Sequence, residues 1–252
     1  MKKQKNENVS YLSEVLDKLK EHKMAMAGLV VLIVEILMVV FLPMILKLDP
    51  YTSDYTAFSA APGGAHILGT DAIGRDVFAR LMYGGRTSLL VGFVSTLISC
   101  VIGVPLGLVA GYARGKAEAV IMRIADMMLA FPGLVLALAV AGIMGASIKN
   151  AIIAIVVVSW TKYARLARSL VMKIRDRDYV SAAIVTGSKT PYMLFRYMLP
   201  NALPTLIITA ATDIGSMMLE LAAMSFLGFG AKPPAPEWGY MLNEGRACMQ
   251  SA

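Results

Sequence analysis

Apolar residues along this chain gather into a few long runs set apart by short polar or basic stretches. Crossing about 30 Å of hydrocarbon takes roughly 20 residues of α-helix. Residues 24–46, 88–112 and 120–145 form runs of that length. Residues 203–227 form a fourth, interrupted only by polar positions at helical spacing. Residues 148–164 are weaker: only 151–160 is strongly apolar, and Lys149 and Lys162 are expected to snorkel at its ends. Ahead of the first run, Leu12, Val15, Leu16 and Leu19 recur at i, i+3, i+4 and i+7 behind a possible Ser10 cap, which predicts an amphipathic helix. Its interleaved Lys18, Lys20 and Lys23 suit the anionic inner leaflet, while packing on the protein itself is the alternative.

Charge decides whether the weak run crosses. With five spans and a cytoplasmic N-terminus, the inner segments hold six Lys before Met24, then Arg114, Lys116 and Arg123, then eight Lys and Arg from Lys162 to Arg196. Only Lys47, Arg75, Arg80, Arg86, Lys149, Lys232 and Arg246 remain outside. Without the fourth crossing the eight-charge segment would face outward and the positive-inside bias would vanish. The expectation is therefore an all-α, polytopic helix bundle with five spans. Residues 1–23 are a cytoplasmic segment, and 24–252 are a transmembrane domain with an outer loop at 47–87 and a cytoplasmic loop at 165–202.

Composition agrees. The chain is 57% hydrophobic and 16% charged, against about 25% charged in soluble domains, and its mean hydropathy is +0.64. The net charge of +7 reflects the inner-face bias, and no groove-tracking basic surface for nucleic acid is evident. The first apolar run is too long for the core of a signal peptide and no A-x-A site follows it. Gly111–Lys116 mimics a phosphate-binding loop only loosely, because Ala110 stands where its first Gly belongs and Ala117 where the Mg²⁺-binding Ser or Thr belongs. His22 and His66 have no zinc-ligand spacing, and Cys100 and Cys248 form no evident pair. No cofactor is expected on this chain and no catalytic residue.

One run carries candidate chemistry. Thr205, Thr209, Thr212, Asp213, Ser216 and Glu220 fall within an arc of roughly 100° on a helix. A charge at mid-bilayer is costly unless paired or wet, so two acids on one stripe should face a translocation path or a partner helix. Glu35 is a lone acid in the first run and is read as facing a partner or held neutral.

Residues 175–204, RDRDYVSAAIVTGSKTPYMLFRYMLPNALP, are polar, basic and interrupted at Gly187 and Pro191. With Ala182, Ala183, Gly187, Leu199 and Pro200 they resemble the cytoplasmic EAA loop of ABC-importer permeases, although Ser181 occupies the acidic position that names it. Further blocks are similar to the dipeptide, oligopeptide and nickel branch of that family. Leu68-Gly69-Thr70-Asp71 leads to Gly74-Arg75-Asp76, Arg80, Arg86 and Ser88-Leu89. Arg123 and Asp126 precede Phe131-Pro132. Trp160, Tyr163-Ala164-Arg165 and Arg168 follow, then Ser225-Phe226-Leu227-Gly228 and Pro236-Glu237-Trp238-Gly239.

Read locally, Gly69, Gly74, Gly84 and Gly85 permit loop turns, and Asp71 and Asp76 can clamp the loop by pairing with Arg75, Arg80 or Arg86. Arg123 and Asp126 should pair at i, i+3, and Pro132 should kink the third span. The family's sixth span is missing after the EWGxML block, for which truncation is the expectation.

The resemblance implies a multi-pass subunit of the cell membrane that performs no chemistry itself. It implies a second permease subunit, two ATP-binding subunits that hold the ATP and Mg²⁺, and an extracytoplasmic substrate-binding protein. Tyr179, Ser181, Ala182, Ala183 and Gly187 would couple to the ATPase. On the polar stripe, Thr209, Thr212, Asp213, Ser216 and Glu220 are the residues expected to line the path, with hydrogen bonding to another helix as the alternative. The run around Asp213 and Met224 looks closer to nickel-type members, so nickel or a nickel chelate is favoured, with di- and oligopeptides second. The alternative from another class is an ion-coupled secondary transporter or channel using Asp213, Glu220 and Glu35.

Overall fold

The computed structural model describes residues 19–246, and the amphipathic segment expected around Ser10–Leu19 lies almost wholly outside them. The chain divides after Asp49 into two units. The first contains α1, Lys23–Ile45, which is apolar on every side and carries Pro43 in its last turn. A helix without a polar face is the form that lipid or a protein interior selects.

The second unit is a helical bundle. Its elements are α2 (Val77–Ala113), α3 (Gly115–Leu129), α4 (Gly133–Met144), α5 (Ile148–Arg175), α6 (Asp178–Val185), α7 (Thr190–Phe226) and α8 (Trp238–Arg246). Local chemistry sets their ends. Asp76 caps α2 by accepting from the Ala79 N–H at 2.7 Å, so the helix begins earlier than the apolar run and the outer loop is shorter than 47–87. Gly84 and Gly85, expected in that loop, are helical. Ser147 caps α5, and the Asn150 amide ties down the Met144 and Gly145 carbonyls, both at 2.8 Å. The start of α7 passes through a π-helical turn, Leu194–Met198. Pro200 and Pro204 follow it, and their missing N–H groups break the regular ladder there.

The core is the seam between α2 and α5, the most extensive helix pair. Gly103, Gly107 and Gly111 lie four apart on α2. A Cβ added to them would stand 2.4 Å from the Trp160 oxygen, 2.3 Å from the Ala164 oxygen and 2.8 Å from the Val171 Cβ. The bare backbone thus lets α5 approach closely, as small residues do between membrane helices. Ala137 and Ala141 of α4 and Ala151 and Ala154 of α5 are buried in the same core. α7 packs on both α2 and α5, and α8 packs on α7 and α2.

Two expectations change. The run 120–145 is not one helix: α3 and α4 meet at 90°, with Pro132 standing just ahead of α4 rather than inside a kinked span. At about 1.5 Å per residue, the 12 residues of α4 are too short to cross alone. Among the described residues three helices, α1, α2 and α7, are long and apolar enough to cross a membrane, or four if α3 and α4 form one broken span. α5 fails that test on composition, yet one whole face of it, from Ala151 to Val171, is buried. Helices enclosed by protein need not be as apolar as those that meet lipid, so run length alone undercounts them.

Candidate functional site

Three regions carry the sequence-predicted residues. The first is the stretch 176–189 between α5 and α7, shorter than the expected 165–202 because both flanks are helical. α6 closes with Gly187 at φ +82°. The Gly187 N–H reaches the Ile184 carbonyl at 2.9 Å and the Ser188 N–H reaches the Ala183 carbonyl at 3.1 Å. This paired-bond stop requires a left-handed residue, which Gly supplies without strain. Val180 and Ala183 face inward, while Tyr179, Ser181 and Ala182 are exposed. Of the five expected coupling residues, Ala183 therefore seats the helix and Tyr179, Ser181 and Ala182 face outward. Ile184, Val185, Tyr192 and Phe195 extend the exposed face and were not foreseen; Val185 is 87% exposed. Tyr179 stacks on Tyr197 and Tyr192 meets the same ring edge-on.

The second region is the outer loop. The Arg75 guanidinium meets Asp71 at 2.7 Å and Glu244 of α8 at 2.8 Å. Arg80, fully buried, bridges the same two carboxylates. Burial alone would raise the Asp71 carboxyl, but the Arg75 N–H and guanidinium and the Ile73 N–H outweigh it and hold it below the usual carboxylate range. The expected clamp thus exists, with Glu244 as a member that no local spacing indicated. Asp76 does not pair with an arginine as expected. It caps α2 and accepts from the His66 ring at 2.8 Å, and that bond raises the His66 pKa above its ordinary 6.5. Arg86 lies over the Tyr83 ring at 4.9 Å. Glu237, wholly buried, caps α8 through the Gly239 and Tyr240 N–H groups, both at 2.9 Å. The Trp238 indole N–H donates to the Leu81 carbonyl at 2.9 Å and fastens α8 to α2.

The third region is the polar stripe of α7. Thr205, Thr212 and Ser216 are exposed, and Thr209 and Glu220 are half-buried. The Thr209 and Thr212 hydroxyls donate to carbonyls of their own helix at 2.9 and 2.8 Å, so their protons are used within α7 itself. Asp213 is different. It is buried at the stripe's inner edge, taking Lys162 Nζ at 2.5 Å on one oxygen and the Tyr163 hydroxyl at 2.8 Å on the other. Lys162, expected to snorkel at a span end, instead crosses from α5 to α7. One further pair differs from expectation: Asp126 binds Arg165 of α5 rather than Arg123. Beside it, Glu118 takes the Arg168 Nε at 2.7 Å. Arg123 lines the same open cleft of about 780 Å³ between α3 and α5. Side chains from neighbouring helices won over the i, i+3 partner.

Comparison with known proteins adds the following. Residues 103–252 match the family described as binding-protein-dependent transport system inner membrane component. Residues 10–62 match the N-terminal TM domain of oligopeptide transport permease C. The chain is 40% identical over 244 residues to the dipeptide transport system permease protein DppC of Alkalihalophilus pseudofirmus, covering 97% of this chain and 80% of that protein. It is 40% identical over 235 residues to the glutathione transport system permease protein GsiD of Pectobacterium atrosepticum, covering 92% and 77%. It is 30% identical over 238 residues to the oligopeptide transport system permease protein OppC of Bacillus subtilis, covering 94% and 78%.

Proposed function

The chain belongs to the binding-protein-dependent transport system inner membrane components, the permeases of ABC importers, in their peptide branch, and we propose that it carries small peptides across the cell membrane. Peptides take the place of the nickel expected from the run around Asp213 and Met224, because the relatives above are named for dipeptide, glutathione and oligopeptide transport. In this reading the chain crosses five times with its N-terminus inside, α5 counting as a span. It pairs with a second permease, two ATP-binding subunits supply the ATP and Mg²⁺ chemistry, and an outer binding protein delivers the peptide.

The observation that carries the reading is the exposed face of α6 and the start of α7. Tyr179, Ile184, Val185, Tyr192 and Phe195 present apolar surface beside Arg177, Lys189 and Arg196. A large exposed apolar face of this kind marks a docking surface, and its place in the segment that resembles the EAA loop makes an ATP-binding subunit its partner in this reading. Closure of the ATP-binding pair would push α6, and Val180 and Ala183 would pass that motion into the bundle. The exposed threonines of α7 then face the path or the second permease.

Reconstituted proteoliposomes test this. Uptake of labelled dialanine or trialanine should require ATP on the cytoplasmic side and the binding protein on the other. Uptake driven by an ion gradient without ATP would sink the proposal in favour of an ion-coupled carrier. Cysteines at Ser188 and Ala60 should be labelled from opposite sides; labelling from one side would refute the five-span topology.

A further inference from the structure

The acid in the middle of the α7 stripe is already satisfied. Both oxygens of Asp213 are engaged, one by Lys162 and one by the Tyr163 hydroxyl, and its side chain is 5% exposed. The Lys162 side chain is 55% exposed. The pair therefore holds its carboxylate inside while the lysine side chain that meets it stays open at the surface. An ammonium has three donors, and Asp213 takes one. Glu220 has the reverse character. It lies seven residues beyond Asp213, roughly 10.5 Å along the helix and about 20° around it. Among the described residues it has no hydrogen-bond or ion-pair partner. An unpartnered acid within a span is costly unless water or a ligand meets it.

We propose that Lys162 and Glu220 form a two-point site for the charged ends of a short zwitterionic peptide, Lys162 receiving the carboxylate and Glu220 the α-ammonium. This rests on the peptide-permease reading above and goes beyond it by assigning the charges. An extended chain advances about 3.3–3.6 Å per residue, so the rise along α7 from Asp213, which holds the Lys162 ammonium, to Glu220 is about the length of two or three residues. Asp213 is then the positioning residue that aims Lys162, not the ligand. With α7 running from the inner to the outer face, the peptide enters carboxylate first. Ser216 lies between the two levels along α7 and offers polar surface without a charge of its own.

The test uses the complete importer in proteoliposomes with its binding protein and labelled trialanine, reading peptide taken up per ATP hydrolysed. The paired variant Lys162→Gln with Asp213→Asn keeps a hydrogen bond across the helices and removes both charges, so a mere strut would survive it. The expected result is a roughly tenfold fall in that ratio, with Lys162→Arg staying within about threefold of the unmodified protein. Glu220→Gln breaks no contact within the chain and should also fall about tenfold. Unchanged ratios for either the paired variant or Glu220→Gln overturn the two-point site. If the unmodified importer shows no ATP-dependent uptake of dialanine or trialanine, the peptide-permease reading fails instead.

Discussion

Gly107→Ala puts a methyl group where none fits. Its Cβ would stand 2.3 Å from the Ala164 carbonyl oxygen and 2.7 Å from the Ala167 Cβ. Neither neighbour can rotate away, since one is backbone and the other is fixed to it. Ordinary contacts begin near 3.5 Å, so α2 and α5 must part by about 1 Å. A gap of that size forfeits roughly a quarter to a half of each dispersion contact along it. Overpacking costs about 1–3 kcal/mol, and a clash against backbone belongs in the upper half of that range. Alanine recovers about 1 kcal/mol of helix propensity over glycine, leaving a net loss of about 1–2 kcal/mol. At about 2–4 °C per kcal/mol for a chain of this size, the thermal midpoint of the complex in nanodiscs should fall by about 2–8 °C. Gly28→Ala is the control, because nothing lies within 4 Å of that position, and it should leave the midpoint unchanged or slightly raised. A Gly107→Ala midpoint equal to or above that of the unmodified protein would refute the close-approach argument.

At Gly187 the space is open but φ is +82°, so any L-residue costs about 1–2 kcal/mol of backbone strain; Gly187→Leu should insert normally yet lose peptide uptake and peptide-stimulated ATP hydrolysis, and normal uptake would remove α6 from the coupling route. Arg80→Met leaves Asp71 and Glu244 with Arg75 alone and should cost about 3 kcal/mol, the low end for breaking a buried pair, read as a lowered unfolding midpoint that Glu244→Gln partly restores. His66 has a folded pKa above 6.5, so its hold on Asp76 is complete below that value and weakens as pH rises through the folded pKa; protection of the outer loop from proteolysis should decline over that range, and His66→Gln should abolish the dependence.

The sequence by itself determined the helical class, the position of the long apolar helices and the family. Run length located α1, α2 and α7, and Gly187 marked a real end, because backbone freedom is a local property; Asp76 and Pro132, read as a clamp and a kink, instead stand at the starts of α2 and α4. It also held the Gly103, Gly107 and Gly111 spacing that brings α2 against α5. Tertiary structure alone decided which charge meets which. Asp126 reaches Arg165 rather than Arg123, Asp76 reaches His66, and Glu244 closes a network with Asp71, Arg75 and Arg80 across more than 160 residues of chain. The Lys162–Asp213 pair likewise converts a stripe with two acids into one whose buried acid is neutralised by a lysine of another helix, leaving Glu220 as the carboxylate of the stripe that is unpartnered among the described residues. Helical periodicity fixes the face on which a side chain stands, but not the neighbour that face will meet. That depends on how helices distant in sequence cross, and a few ångströms of separation decide whether two charges bind or merely coexist.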